Sequence, residues 1–371
     1  MNKSYPLMVP NISEVDIAAV TEVLRSGMLI QGKHVAGLEN RIKQTTSADQ
    51  AVAVSNGTAT LHLVLVALGI GKGDEVIVPA FSYVATANVV ELVGATPIFV
   101  DIELDTFNID VSKIKIAITN KTKAIIPVHE FGLASNITEI MKIATDHDLF
   151  VIEDAACALG AKENDQPVGS FGTAASFSFH PRKSVTCGEG GVITTNDKQL
   201  ASKLRALRNH GIDADNTSTM EFILPGYNYR LTDFQAAFVN SQLDRIEQII
   251  SIKQTLAEVY FSELNINYFK LPVVPNGKNH TWQTYHIVLD ESINRASLIQ
   301  SLCEIGIGTN YGAQCIPATQ YYQRKYELNS KVLFPAAYSA YTAGLAIPLY
   351  YGLTKEEIKH IAKKINKSIK K

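Results

Sequence analysis

Short, nearly all-apolar runs alternate with amphipathic stretches through the first half of the chain. Residues 51–54, 76–78, 98–101, 123–129 and 150–154 read as strands. Continuous apolar character, without a polar alternate, is what a strand covered on both faces requires. Between them, helical periodicity predicts helices over 15–25 and 34–44, from about residue 61, from 108–110, and over 137–147. Ser13 with Asp16 is a capping signal for the first of these, and Ser26-Gly27 ends it. Strands that alternate with helices predict an α/β chain with a mainly parallel sheet, helices covering its faces. Ligands of such sheets gather at the carboxyl ends of the strands.

Farther along, apolar residues run up to Phe179 and stop at His180-Pro181. Lys183 follows Arg182, and Gly188-Glu189-Gly190-Gly191 leads into a second apolar run, 192–195. This predicts two strands meeting at a loop that presents Lys183. A helix is expected over 198–209, a polar loop over 211–222, and one long helix from 232 to about 252. That long helix would carry the chain out of a large domain, 1–245. A strand at 284–289 and a helix at 295–305 suggest a smaller C-terminal α/β domain, 246–371. Residues 1–12 read as an extended arm.

Composition narrows the classes. The chain has 371 residues, 46% hydrophobic and 19% charged, which is enough for a large core in two domains. Net charge is −2 with both signs interspersed, so no basic block argues for nucleic acid or a membrane surface. The basic tail, 363–371, reads as a solvated helix end that complements the helix dipole. No run approaches the roughly 20 apolar residues that span a bilayer. Four cysteines without CxxC spacing argue against a disulfide framework or a metal site and for a reducing cytoplasm.

Four chemical candidates stand out. In Ser55-Asn56-Gly57-Thr58-Ala59-Thr60, a strand meets a helix N-terminus through small residues, which makes an anion site or an ordinary capped turn. Tyr83 follows a strand and offers a flat ring. Asp154 ends a strand before Ala155-Ala156, able to hold a cation or cap a helix. Lys183 has a neighbouring cation, and a cation or burial favours the neutral amine, which can attack an aldehyde. Taken alone it reads as a solvated loop lysine. Together the four match the needs of pyridoxal phosphate: donors for its phosphate, a partner for its ring, a carboxylate for its nitrogen and an amine for its aldehyde.

On Ser55-Asn56-Gly57-Thr58-Ala59, Glu153-Asp154-Ala155-Ala156, Ser178…Lys183…Gly188-Glu189-Gly190-Gly191 and Gly226-Tyr227-Asn228-Tyr229-Arg230, the chain resembles the DegT/StrS-type sugar-nucleotide aminotransferases among the fold-type I pyridoxal-phosphate enzymes. The resemblance covers nearly the whole chain. It implies a three-layer architecture, with Lys183 as the Schiff-base lysine and proton shuttle and Asp154 on the pyridine nitrogen. It places Gly57, Thr58, Ala59 and Ser178 around the phosphate and Tyr83 on the ring. Asn228 would come from a neighbouring subunit, making a homodimer with shared sites, and Arg230 would meet an acidic group. It implies L-glutamate as donor and a nucleotide-linked keto sugar as acceptor, in ping-pong order. A 4-keto-6-deoxy hexose is expected, with a 3-keto sugar as runner-up, for amino-sugar, lipopolysaccharide or glycan biosynthesis. Lys33, Arg208 and His210 are candidate diphosphate contacts, or solvated charges. His129 and Tyr311 are candidate pocket residues, His129 alternatively a satisfied core histidine.

Cys157 departs from the family, which usually has Gln there near the ring hydroxyl. Thiols are weak hydrogen-bond partners, so a water or another side chain takes the role, or the cofactor is tuned differently. The retained lysine favours transamination over the deoxygenation of relatives that carry histidine. A lyase or racemase would use the same cradle, and a non-catalytic cofactor-binding regulator is the remaining alternative.

Overall fold

The computed structural model describes residues 3–213 and 220–369. Its main sheet has strands β1 (Gln50–Val54), β2 (Glu75–Pro79), β3 (Thr96–Val100), β4 (Thr122–Ile125), β5 (Phe150–Asp154), β6 (Ala174–Ser178) and β7 (Gly191–Thr195). Their order is β1-β7-β6-β5-β4-β2-β3. Neighbours run parallel except around β7, which is antiparallel to both β1 and β6. The mainly parallel sheet predicted from the all-apolar runs is therefore present, with one reversed strand.

Helices α1 (Glu14–Ser26), α2 (Lys33–Thr46), α3 (Gly57–Ala67), α5 (Val111–Ala117), α6 (Ile137–Asp146) and α7 (Lys198–Arg208) occupy the predicted regions, and α4 (Ala85–Leu92) is a helix the pattern did not predict. The Ser13–Asp16 capping box forms, and Gly27 closes α1 in the left-handed conformation that glycine adopts without penalty. α3 starts four residues earlier than expected, because the Asn56 side chain caps it by accepting from Ala59 N–H at 2.8 Å. The 123–129 run is shorter as a strand: β4 stops at Ile125, and Pro127 has no N–H to give the ladder. Val128 rejoins it by a single bridge to Asp154.

The long helix over 232–252 is instead two helices, α8 (Asp233–Leu243) and α9 (Ile246–Glu263). They break at Arg245, which leaves helical geometry (φ −112°, ψ 3°) while its guanidinium bonds Asp16 of α1 at 2.8 and 3.2 Å. No Pro or Gly marks that break in the sequence. A tertiary ion pair occupies it instead.

α9 enters a separate apolar cluster with a three-stranded sheet, β8 (Phe269–Lys270), β9 (Tyr285–Leu289) and β10 (Gly344–Ile347). α10 (Arg295–Glu304) and α11 (Lys355–Ser368) pack there too. The N-terminal arm joins it: Tyr5 pairs with Ile307 and is buried in the cluster. Of the predicted polar loop, 214–219 lie outside the described residues, as do Lys370 and Lys371 of the basic tail. Ile212 and Phe222 face each other across the loop's base. No helix among the described residues is long and apolar enough to cross a membrane.

Candidate active site

The carboxyl ends of β4, β5 and β6 converge on one spot. Asp154 closes β5 and is only 5% exposed. Its Oδ2 accepts from Thr86 Oγ1 at 2.8 Å, and its Oδ1 accepts from Ala156 N–H at 3.3 Å. Burial raises its pKa, while the Thr86 and Ala156 hydrogen bonds and the Lys183 charge pull the other way. Thr86 lies in the first turn of α4, just after Tyr83. Lys183 sits in a turn closed by its N–H on His180 O at 2.8 Å, and its Nζ donates to Cys157 Sγ at 2.9 Å. Lys183, Cys157 and Asp154 are thus brought together from two loops of the sheet edge. Burial pushes the Cys157 thiol up, against the nearby ammonium.

A second feature lies at the start of α3. Helix N-termini carry free N–H groups and the positive end of the dipole. Asn56 takes the Ala59 N–H through its side chain and the Thr60 N–H through its carbonyl. Ala59 is therefore corrected as a backbone donor to a phosphate, which leaves Gly57 and Thr58. Ser178, at the end of β6, lies directly beneath: a Cβ on Gly57 would stand 2.8 Å from Ser178 Cβ. Gly57→Ala should displace Ser178 and weaken phosphate-ester binding about tenfold, the scale of a 1–3 kcal/mol overpacking cost. A cofactor titration of the purified variant measures this, and unchanged affinity would remove Gly57 from the cradle.

The 226–231 motif lies against the cradle. Ser55 N–H donates to Tyr229 O at 2.9 Å, and Val54 bridges Arg230. Asn228 is exposed, and Arg230 Nη1 donates to Asn209 Oδ1 at 2.7 Å. Tyr83 is 66% exposed, its ring open for stacking. Gln314 pairs with Ser82, which ties the segment carrying Tyr311 to the one carrying Tyr83. The Tyr311 ring itself lies under the Arg295 guanidinium at 4.5 Å.

Two further candidates change role. His129 is fully buried: its Nδ1 accepts from Ser135 N–H at 3.0 Å, which leaves Nε2–H to donate to Glu153 Oε2 at 3.1 Å. Glu153 also accepts from the N–H groups of Gly169, Phe171 and Gly172. Both His129 nitrogens are spent on the scaffold, so it is a core residue and not a substrate contact. Arg208 is likewise buried, with Nη1 on Glu39 Oε1 at 2.6 Å and Ala53 O at 2.7 Å. Arg208→Ala should cost about 3–5 kcal/mol of folding stability by leaving Glu39 without its opposite charge, held by the Ala53 N–H alone. Urea unfolding checks this, and a loss within error would contradict it. Lys33 is exposed, 3.8 Å from Glu22, and His210 is exposed with its N–H on Tyr227 O.

Sequence reading missed Ser82, Thr86, Glu130 and Lys253. A signal existed for Lys253: with Ile249, Ile250, Leu256, Ala257 and Tyr260 it lies on the buried stripe of α9. It is 1% exposed and its Nζ donates to Ser184 Oγ at 3.3 Å, beside Lys183 in sequence. Burial lowers its pKa from 10.5 to about 7. Between those values the unfolded chain binds one more proton than the folded one, so stability rises with pH across the window. Urea unfolding at a series of pH values should show that rise in the native protein and a flatter profile in Lys253→Met; identical slopes would contradict it.

The residues fit pyridoxal phosphate: two open N–H groups for its phosphate, a buried carboxylate for its nitrogen, and a lysine amine within the same cluster. No group of three His, Cys, Asp or Glu able to hold a metal occurs among the described residues. The fold matches solved structures over nearly their full length. A sugar aminotransferase from Streptococcus pneumoniae, Spr1654, is 29% identical with a TM-score of 0.92, covering 99% of this chain and 97% of that one. PseC from Helicobacter pylori, an aminotransferase of pseudoaminic acid biosynthesis, is 28% identical with a TM-score of 0.93, covering 99% of each. A DegT/DnrJ/EryC1/StrS aminotransferase from Brucella abortus is 32% identical with a TM-score of 0.87, covering 96% and 95%. Residues 10–366 match the same family, and the chain belongs to the DegT/DnrJ/EryC1/StrS aminotransferases.

Proposed function

We propose that this chain is a pyridoxal-phosphate-dependent sugar aminotransferase. It moves an amino group from L-glutamate to a nucleotide-linked keto sugar, a 4-keto-6-deoxy hexose first, in ping-pong order. The observation that carries the reading is the convergence of Lys183, Asp154 and the open N–H groups of α3 at one sheet edge. Spr1654 has been solved in forms with pyridoxal phosphate and with pyridoxamine phosphate, which supports the cofactor.

When bound, pyridoxal phosphate supplies an aldehyde that condenses with amines and a ring that takes up electrons. The chain's residues do the rest. Gly57, Thr58 and Ser178 hold the phosphate against the positive end of α3. Asp154, fixed by Thr86, keeps a proton at the ring nitrogen. Tyr83 covers the ring face. The Lys183 amine would take the Cα proton of the donor and deliver it across the donor nitrogen to the carbon that came from the aldehyde, as general base and then general acid. Asn228 reaches the phosphate of a neighbouring subunit, so the working unit is a homodimer. Arg230 and Lys33 meet acidic groups of donor and acceptor, and Tyr311 lies beside the sugar. The domain boundary falls at 245/246, where α8 and α9 part.

The test is a half-reaction. L-Glutamate should bleach the visible band of the loaded protein. A panel of keto-sugar nucleotides then identifies the acceptor as whichever restores it, the 3-keto sugars being the runner-up. A band that glutamate and other amino acids leave untouched would overturn the transaminase reading.

A further inference from the structure

Glu130 is a buried carboxyl that the mechanism above leaves unused. It opens the turn Glu130–Gly132 beyond β4, with its N–H on Asn108 Oδ1 at 2.9 Å and the following Phe131 at φ 55°. Only 5% of it is exposed. Its carboxyl faces the Ser82 hydroxyl and the Phe131 N–H, both of which favour its ionised form. The titratable groups facing it are Asp154 and Cys157 from the end of β5, and Lys183 from the loop after β6.

Two carboxyls meet in this cluster, Asp154 and Glu130. Thr86 gives its only hydroxyl proton to Asp154 Oδ2. Thr86 Oγ1 also lies 3.2 Å from Ser82 Oγ. The Thr86 and Ala156 hydrogen bonds hold Asp154 as the ionised member of the pair, and a like charge beside it in a buried site favours Glu130 as the neutral acid. Burial and the Asp154 charge raise it to about 8, against the Lys183 charge, the Ser82 hydroxyl and the Phe131 N–H.

In pyridoxal phosphate the ring hydroxyl is on the carbon next to the one bearing the aldehyde. Groups clustered around Lys183 Nζ are therefore those that can reach this hydroxyl. Cys157 is one of them, and a thiol is a weak partner. We propose that Glu130, as a neutral carboxylic acid, donates the hydrogen bond to the ring hydroxyl that Cys157 supplies poorly. The assignment rests on the cofactor reading above. A donor there stabilises the ionised hydroxyl and loosens its hold on the proton at the Lys183 nitrogen.

The test is the pH titration of the visible band of the loaded protein. Glu130→Leu should move its midpoint up by about one to two pH units, the scale of one hydrogen bond to a charged group. Glu130→Gln keeps a donor and should restore the midpoint to near the native value. In the cofactor-free protein, the infrared band of a protonated carboxyl should be present at neutral pH and fade through about 8. It should be missing from Glu130→Gln. A Glu130→Leu midpoint equal to the native one, or an ionised Glu130 at neutral pH, would overturn the assignment while leaving the cofactor in place. A native protein that never gains a visible band with pyridoxal phosphate would overturn the cofactor reading and this assignment with it.

Discussion

Lys183→Ala should abolish transamination, lowering turnover by at least about 10³-fold, within the range ascribed to a positioned proton-transfer group. Nothing else near the site can replace its amine. Lys253, a fully buried amine, donates to Ser184 from inside α9. The cofactor should still bind, because Gly57, Thr58, Ser178 and Asp154 are untouched. Folding should also be little affected: Lys183 is only half-buried, and its side chain makes one hydrogen bond, to the Cys157 thiol. The expected picture is a stable protein that holds the cofactor with an altered spectrum and turns over nothing. Native turnover in this variant would remove Lys183 from the chemistry.

Asp154→Asn should separate binding from catalysis. Asparagine has nearly the same shape, and its carbonyl can still accept from Thr86. It is neutral, so it cannot hold a proton on the ring nitrogen. Turnover should fall about 10²–10³-fold, the usual cost of removing one preorganised electrostatic partner. The same substitution should stabilise the cofactor-free protein. Burial raises the Asp154 pKa above its unfolded value of 3.8. Between the two, the folded state binds the extra proton, so the native protein loses stability as pH rises through that window. Asparagine removes that loss. Thermal unfolding of the two cofactor-free proteins at neutral pH, beside their turnover, checks both halves. A variant that turns over normally, or is less stable than the native protein, would contradict the account.

Much of this was legible in the sequence because buried parallel strands leave a direct trace. Five all-apolar runs marked β1 to β5, and Asp154 could be placed at a strand end without coordinates. Lys183 emerged from the pattern stop at His180-Pro181 and the glycines that follow. What the sequence could not show were partners set by the tertiary fold. Arg208 looked like a surface cation because Glu39 lies far away in the chain. His129 looked available because Ser135 and Glu153 had not yet claimed its nitrogens. The α8–α9 break had no local signal, since an ion pair with Asp16 occupies it. Ala59 seemed one of three phosphate donors until the Asn56 cap consumed its N–H. Glu130 went unremarked because nothing in a strand-to-turn stretch reveals that its carboxyl meets Ser82, Asp154 and Lys183.

The central claim is that one amino group passes through this site from an amino acid to a sugar. Incubating the loaded protein with ¹⁵N-labelled L-glutamate and a keto-sugar nucleotide, then weighing the products, measures it directly. The account predicts ¹⁵N in an amino-sugar nucleotide, one 2-oxo acid formed for each amino sugar, and neither product from Lys183→Ala. Consumption of the sugar nucleotide without nitrogen transfer would contradict it.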